Sequence, residues 1–483
     1  MNLEKIIDIL CDGKDDRMVE GFLKFLVNKL WNQYNDYLMD KVLIVENEVK
    51  AMSFNIPNAK ENQPYDHTIL LPQDSKVVIK EVSGIKENVH GLKVEVADDG
   101  KSFHISGTPT LESFRKDDAS VQNSTFELTM KYQYEGLEMP EERPILERNI
   151  PFIINQDPRK LWKNLPVDWE NMPEPKYQKD DTQIDYVKVE ALADGSLQKD
   201  MVAASKRGRS HAQEGKPRDD HFKLYHDNDT NWYVMAVADG AGSAKYSREG
   251  SRIACETVVN HCKVLLADSA DFEEYIKTYN EYKDESESDA RKMVGDYIYR
   301  IVGTAALKAQ NAIFEEAKKQ NIPSKAYATT LLLTICKKFE FGWFVASFWV
   351  GDGAICLYDK NNHTSKLLGT PDEGEFAGQT RFLTMPEIFS DATSLYQRLR
   401  FNIVPDFTAL FMMTDGVSDP KFETDANLNN PHMWDELWDD LTLNEEHPVD
   451  LSDDNEASKD QLLEWLDFWS AGNHDDRTIV ILY

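Results

Sequence analysis

The chain has 483 residues, too many for one ordinary hydrophobic core, so two or three domains are expected. With 54 Lys+Arg against 85 Asp+Glu, its formal charge of −31 disfavours general affinity for nucleic-acid phosphates or anionic membranes, and it suits recruitment of divalent cations. Hydrophobic residues at 41 % and aromatics at 11 % support folded cores and exclude global disorder. No stretch approaches the roughly 18 consecutive apolar residues of a membrane helix. The start, Met1 to Cys11, has too short an apolar run and too early an acid for a secretion signal. Cys11, Cys255, Cys262, Cys336 and Cys356 are scattered without a Cys-x-x-Cys pair, as expected of reduced, mostly buried thiols in a cytoplasmic protein.

In chain order, residues 1–55 read as helical, with Phe22, Phe25, Leu26 and Leu30 at three- and four-residue steps forming one apolar stripe. Over 65–156 the period changes to two. Val77–Val82, Leu92–Val96, Phe103–Ser106, Thr125–Tyr132 and Ile150–Ile154 are short strands between turn residues, a small β-sandwich. Residues 157–197 are rich in Pro, Asp, Lys and Trp without sustained period, and read as a connector whose Trp162 and Trp169 dock on a neighbour. From 198 to 483 strands and long helices mix, and Met293 through Ile313 mark one long amphipathic helix.

Three apolar runs end in Asp-Gly: Tyr233–Gly240, Phe348–Gly353 and Leu410–Gly416. A fourth run, Thr478–Tyr483, follows Asp475-Asp476. Asp-Gly alone is turn punctuation, and Asp12, Asp99 and Asp194 lead such turns in polar stretches. An apolar strand that ends in a carboxylate beside Gly places a hard oxygen ligand on the rim of a sheet, and several such ends together make a pocket suited to Mg²⁺ or Mn²⁺. The spacing of His211, His221 and His226 matches no common zinc pattern.

These runs belong to a longer ordered series: Ser205–His211, Pro217-Arg-Asp-Asp220, Ala238–Ser243, Ala328-Thr-Thr330, Val350–Gly353, Gly374–Thr384, Met413–Asp419 and Asp475–Thr478. The series resembles the metal-dependent protein phosphatases of the protein phosphatase 2C family, in a bacterial branch with a Gly-x-Ser-His opening and a Gly-Glu-Phe-Ala flap. The resemblance implies an α+β fold for the last 280 or so residues: an α-β-β-α sandwich of two antiparallel sheets flanked by helices. It implies two Mn²⁺ or Mg²⁺ ions, with a third, weaker site. Asp239 is then the bridging ligand, and Gly240 offers its carbonyl to the second metal. Asp415 and Asp475 hold the first, Asp219 and Asp220 serve the second, and Asp352 supports the third. Two such ions supply a bridging hydroxide for in-line attack on phosphorus. The implied substrates are phosphoserine and phosphothreonine on proteins, with a cognate Ser/Thr kinase as a further partner in signalling. Gly215 stands where many relatives have a phosphate-binding Arg, so Arg209, His211 and Arg218 are candidate substitutes, His211 also as the acid for the leaving alkoxide. Ala241 replaces a His and Gly378 a frequent Asn. The segment Asp98–Thr110, with its Ile-Ser-Gly-Thr-Pro, resembles bacterial immunoglobulin-like modules. Alternative readings are a phosphoprotein-binding scaffold on the same fold and a phosphatase for small esters.

Overall fold

The computed structural model describes residues 12–13, 15–110, 125–135, 144–172, 174–192, 195–282, 289–369, 371–372 and 380–483. The chain divides into two compact units, Met1–Leu161 and Trp162–Tyr483, and each is taken by itself.

The first unit opens with helix α1 (Asp16–Ala51), started by Asp15, whose carboxylate accepts from the Arg17 N–H. The stripe expected at Phe22, Phe25 and Leu30 is helical, but these side chains are exposed; Val45 and Val49 are the buried residues of α1. Beyond α1 the chain forms β1 (Ala59–Lys60), β2 (Tyr65–Leu70), β3 (Val77–Ser83), β4 (Leu92–Val96), β5 (Ser102–Gly107), β6 (Thr125–Tyr134) and β7 (Leu146–Asn155), with a one-turn helix α2 (Glu87–His90) before β4. Two sheets result, in the orders β1-β7-β6-β3 and β2-β5-β4. Alternate residues of β5, β6 and β7 (Phe103, Ile105; Leu128, Met130; Ile150, Phe152) point into one shared core, the period-two pattern made physical. Lettered A to G in chain order, the sheets are B-E-D and C-F-G, with A parallel to G; in constant-type immunoglobulin domains A joins B-E-D. Gly107 of the Ile-Ser-Gly-Thr-Pro motif has φ +129°, and a Cβ there would lie 2.2 Å from the Gly91 carbonyl, so only glycine lets β4 and β5 close.

The second unit contains β8 (Thr182–Val187), β9 (Met201–Lys206), β10 (His221–His226), β11 (Tyr233–Ala238), β12 (Leu331–Phe339), β13 (Gly342–Val350), β14 (Ala354–Asp359), β15 (Thr364–Leu367), β16 (Leu399–Val404), β17 (Ala409–Met413) and β18 (Arg477–Leu482). One antiparallel sheet runs β10-β11-β12-β13-β16 and the other β15-β14-β17-β18-β9-β8. Met235, Val237, Trp343 and Val345 of the first meet Met201, Ala203, Leu410, Met412 and Val480 of the second in the central core. Helices follow in the order α3 (Arg209–Glu214), α4 (Ser247–Leu266), α5 (Ala270–Tyr282), α6 (Asp289–Ile298), α7 (Thr304–Gln320), α8 (Ala392–Tyr396), α9 (Asp415–Phe422), α10 (Pro431–Thr442) and α11 (Ser458–Trp465). Residues of α4, α6 and α7 cover the outer face of the first sheet, and α10 and α11 that of the second. The result is the α-β-β-α sandwich, and β11, between layers, is buried at all six positions.

Two expectations change. The long helix around Met293–Ile313 is broken by a π-helical turn at Tyr299–Gly303 between α6 and α7. The stretch 157–197 is not mere connector: β8 pairs along its whole length with β9. This fold therefore begins near residue 162 rather than 198. An edge strand such as Thr182-Gln-Ile-Asp-Tyr-Val187 keeps one side toward solvent, so its half-polar composition hid it. Trp162 packs on His474 at 4.4 Å between ring centroids, and Arg248 lies over Trp169 at 5.5 Å. Cys255, Cys262, Cys336 and Cys356 are buried and unpaired; Cys11 lies outside the described residues. Among the described residues, no helix is long and apolar enough to cross a membrane.

Candidate metal centre

The ends of the central strands converge. Asp239 follows β11, Asp352 follows β13, Asp415 follows β17, and Asp475 and Asp476 precede β18. Carboxylate oxygens of Asp239, Asp352 and Asp415 lie within 4.8 Å of one another. The Asp239 backbone is clamped: its N–H donates to Thr330 Oγ1 at 2.8 Å, while the Thr329 hydroxyl and the Thr330 N–H donate to its carbonyl at 2.7 and 2.8 Å. The buried Thr329-Thr330 pair thus fixes the ligand strand. Asp220 accepts from Thr414 and Thr478 hydroxyls at 2.9 and 2.6 Å and also approaches Asp239 within hydrogen-bond reach. The glycines after these acids are required by packing. A Cβ on Gly240 would meet Asp219 and Ser247 at 2.9 Å, and one on Gly416 would meet the Asp476 carbonyl at 1.8 Å.

The electrostatics identify what the cluster lacks. Burial, reinforced by Asp415 and Asp220, raises the Asp239 carboxyl well above its ordinary value; burial with Asp352 and Asp475 does the same to Asp415. Asp220 is pushed to about 6 and Asp219 to about 7, in both cases by burial first and Asp476 second. Asp352 and Asp475 are raised too, chiefly by burial. Oδ1 of Asp352 and Oδ1 of Asp415 are buried with no hydrogen-bond partner among the described residues. Crowded carboxylates with buried, orphaned oxygens are the chemistry of a divalent-cation site, so the residues fit Mn²⁺ or Mg²⁺.

Asp476, which the sequence reading did not single out, organises one side. Its Oδ1 accepts from the Gly208 N–H at 2.6 Å and lies 3.0 Å from His211 Nδ1; its Oδ2 accepts from the Asp219 N–H at 2.5 Å. Burial opposes the charge on Asp476, but His211 and these two N–H groups outweigh it and hold the carboxyl below its ordinary value. Burial likewise opposes the charge on His211, yet Asp476, Asp219 and Asp475 raise it to about 9. Its Nε2 lies 3.9 Å from Asp219 Oδ2. In the metal-free protein these acids therefore favour the imidazolium form of His211.

The other phosphate candidates are occupied elsewhere. Arg209 donates to the Asp467 carbonyl and carboxylate at 2.8 and 3.0 Å and to the Phe468 carbonyl at 3.2 Å, and lies over Trp469. Arg209 is thus engaged away from the acids in this structure, in line with its place two residues before His211 on α3, where helical side chains project about 200° apart. Arg218 is buried against the Asp180 and Asp220 carbonyls and the Ser205 hydroxyl. Gly215, at the position of the absent Arg, caps α3 at φ +67°, a left-handed position that an Arg fills poorly.

Lys179 was missed entirely. Its ammonium donates to the Asp219 and Asp220 carbonyls at 3.2 and 3.0 Å and to Ser251 Oγ at 3.2 Å. Burial first, then Arg218, lowers it to about 7 against the pull of the nearby acids. It comes from the stretch read as connector, and no local pattern marks it. Thr380 donates to Asp352 Oδ2. The flap residues Gly374–Gly378 lie outside the described residues.

A fold of two antiparallel sheets between helices, with a cation-seeking acid cluster at the strand ends, defines a metal-dependent phosphatase. The sequence matches the protein phosphatase 2C family over residues 207–467, more than half of its length, and the chain belongs to that family. No curated protein matches it in sequence. Among solved structures, RsbX in complex with magnesium is 15 % identical, covering 62 % of this chain and 100 % of its own at a TM-score of 0.33. The Mycobacterium tuberculosis serine/threonine phosphatase PstP/Ppp is 14 % identical, covering 59 % and 98 % at 0.33. The PstP catalytic domain with two manganese ions is 13 % identical, covering 62 % and 98 % at 0.31. At such TM-scores these likenesses add nothing to the family match.

Proposed function

We propose that the protein hydrolyses phosphoserine and phosphothreonine on proteins, using Mn²⁺ or Mg²⁺. The observation that supports this most is the convergence of the partly buried Asp239, Asp352 and Asp415, with orphaned oxygens on Asp352 and Asp415, in a chain of this family. Asp239 would touch two cations with the Gly240 carbonyl beside it, Asp415 and Asp475 would complete one site, Asp219 and Asp220 the other, and Asp352 a third. Bound, the cations would supply a nucleophilic water at neutral pH and offset the charge of the phosphate oxygens. The residues of the chain do the rest. Thr329 and Thr330 hold the Asp239 backbone, Asp476 fixes the His211 ring, and Lys179 anchors the carbonyls of the Asp219-Asp220 pair. His211, held by Asp476 through Nδ1, would give a proton from Nε2 to the leaving alkoxide, so His211→Gln should lower kcat more than it changes KM.

The test is hydrolysis by the full chain of a phosphoserine peptide, a phosphothreonine peptide and nitrophenyl phosphate, with Mn²⁺ and with chelator. The reading predicts metal-dependent turnover of all three, with kcat/KM highest for the peptides. Turnover of nitrophenyl phosphate alone would favour a small-ester enzyme, and binding without turnover a scaffold.

A further inference from the structure

A cavity of about 380 Å³ has walls that include Trp349, Asp372, Arg381, Glu387, Arg398 and Arg400. We propose that it is a subsite for an anionic side chain of the substrate, a carboxylate or a second phosphate, close in sequence to the phosphoresidue. The inference rests on the phosphatase reading above and adds a substrate preference to it.

Two backbone links tie the cavity to the centre. Arg381 follows Thr380, whose hydroxyl donates to Asp352, and the Asp372 N–H donates to the Gly351 carbonyl at 2.9 Å. Trp349, the penultimate residue of β13, stands three residues before Asp352. Among the described residues, three guanidinium groups and two carboxylates line it. Asp372 pairs with Arg398 and, at 3.7 Å, with Arg381. Arg400 has no carboxylate partner among the described residues. It stacks over Trp349 at 4.8 Å and is fixed by the Gln397 and Leu399 carbonyls at 2.9 and 3.0 Å. A stacked, backbone-braced guanidinium with open donors is pre-organised for an oxyanion, and the volume admits a whole side chain. Glu387 shares the wall and opposes an anion, so the site discriminates by charge balance.

The test uses the full chain with Mn²⁺ and three phosphoserine peptides that differ beside the phosphoserine: alanines, glutamates, or a second phosphoserine. Wild type should show a lower KM for one or both acidic peptides. Arg400→Ala should raise that KM about fivefold and Glu387→Gln should lower it, while the alanine peptide and nitrophenyl phosphate keep their wild-type constants. The glutamate and diphosphorylated arms distinguish carboxylate from phosphate. Equal KM across the three wild-type peptides, or a preference unchanged in Arg400→Ala, overturns the subsite. An equal rise for nitrophenyl phosphate would mean that the cavity holds the reacting phosphate instead, and also overturns it. If wild type hydrolyses nothing, the phosphatase reading fails, and calorimetric binding of the same peptides still decides the subsite: no difference between glutamate and alanine peptides, and none between diphosphorylated and alanine peptides, overturns it.

Discussion

Asp239 carries conflicting demands. Without metal it is a buried acid repelled by Asp415 and Asp220; with metal it would be the central ligand. Asp239→Asn should therefore raise the melting temperature of the chelator-treated protein and abolish the stabilisation that Mn²⁺ gives wild type, which linkage puts at about 2.7 kcal/mol at 100 times Kd. Differential scanning fluorimetry with and without Mn²⁺ reads both; an unchanged Mn²⁺ response in the variant would remove Asp239 from the site. The same residues set a pH dependence. Asp219 and Asp220 are raised to about 7 and 6 from 3.8, so the folded state binds protons more tightly than the unfolded one. Their contribution to metal-free stability is fully present below about pH 4 and is lost as pH rises through 6 and 7. His211, raised from 6.5 to about 9, adds stability that is present below about 6.5 and lost as pH rises through 9. Lys179, lowered from 10.5 to about 7, gains as pH rises through 7 and offsets His211 there. Urea unfolding of chelator-treated protein should therefore show stability falling between pH 5 and 7, and His211→Gln should depart from wild type above pH 7, where its stability should rise relative to wild type as pH increases. The strand-end acids were legible because each closes an apolar run. Asp476 was not, since its part depends on loops that meet only in the fold: α3 and the Asp219 turn.

At the scale of elements, legibility followed burial. β11, β13 and β17 are apolar at nearly every position because helices or a second sheet cover both faces, and such runs stand out. β8 sits on an edge with mixed polarity, and the Lys179 turn before it has no period at all, so both were read as connector. The consequence is testable by truncation. A chain starting at Trp162 should fold and keep Mn²⁺-dependent turnover of nitrophenyl phosphate. One starting at Val189 loses β8, Lys179 and Tyr177, bares the edge of β9, and should aggregate or fail to bind Mn²⁺. Soluble, active protein from the shorter chain would show that the 162–188 stretch is dispensable. Lys179→Ala in the full chain should cost about 2–4 kcal/mol in denaturant unfolding, because two buried carbonyls and a hydroxyl lose their cationic donor.

For the whole molecule, the −31 charge acquires a local meaning at the metal centre, where acids sit unneutralised, and an exception at the Arg381–Arg400 cavity. The α+β class and the order of motifs could be read from one chain because the family's ligands punctuate strands. The phosphate contact could not, because Arg209 and Arg218 look alike in sequence, and only the fold shows one held by Asp467 and the other buried under Asp220. The unit Met1–Leu161 has its own two-sheet core, and the long helix α1 leaves Phe25, Leu30 and Trp31 exposed. The central claim is that buried carboxylates at the strand ends hold the ions that drive phosphoester hydrolysis. Its most direct test is single-turnover hydrolysis of a phosphoserine peptide by wild type and Asp239→Asn, with Mn²⁺ binding measured calorimetrically on the same samples. The account predicts Mn²⁺ binding and turnover in wild type, and a loss of both in the variant with turnover down by about three orders of magnitude or more. Near-wild-type turnover by Asp239→Asn at saturating Mn²⁺ would contradict it.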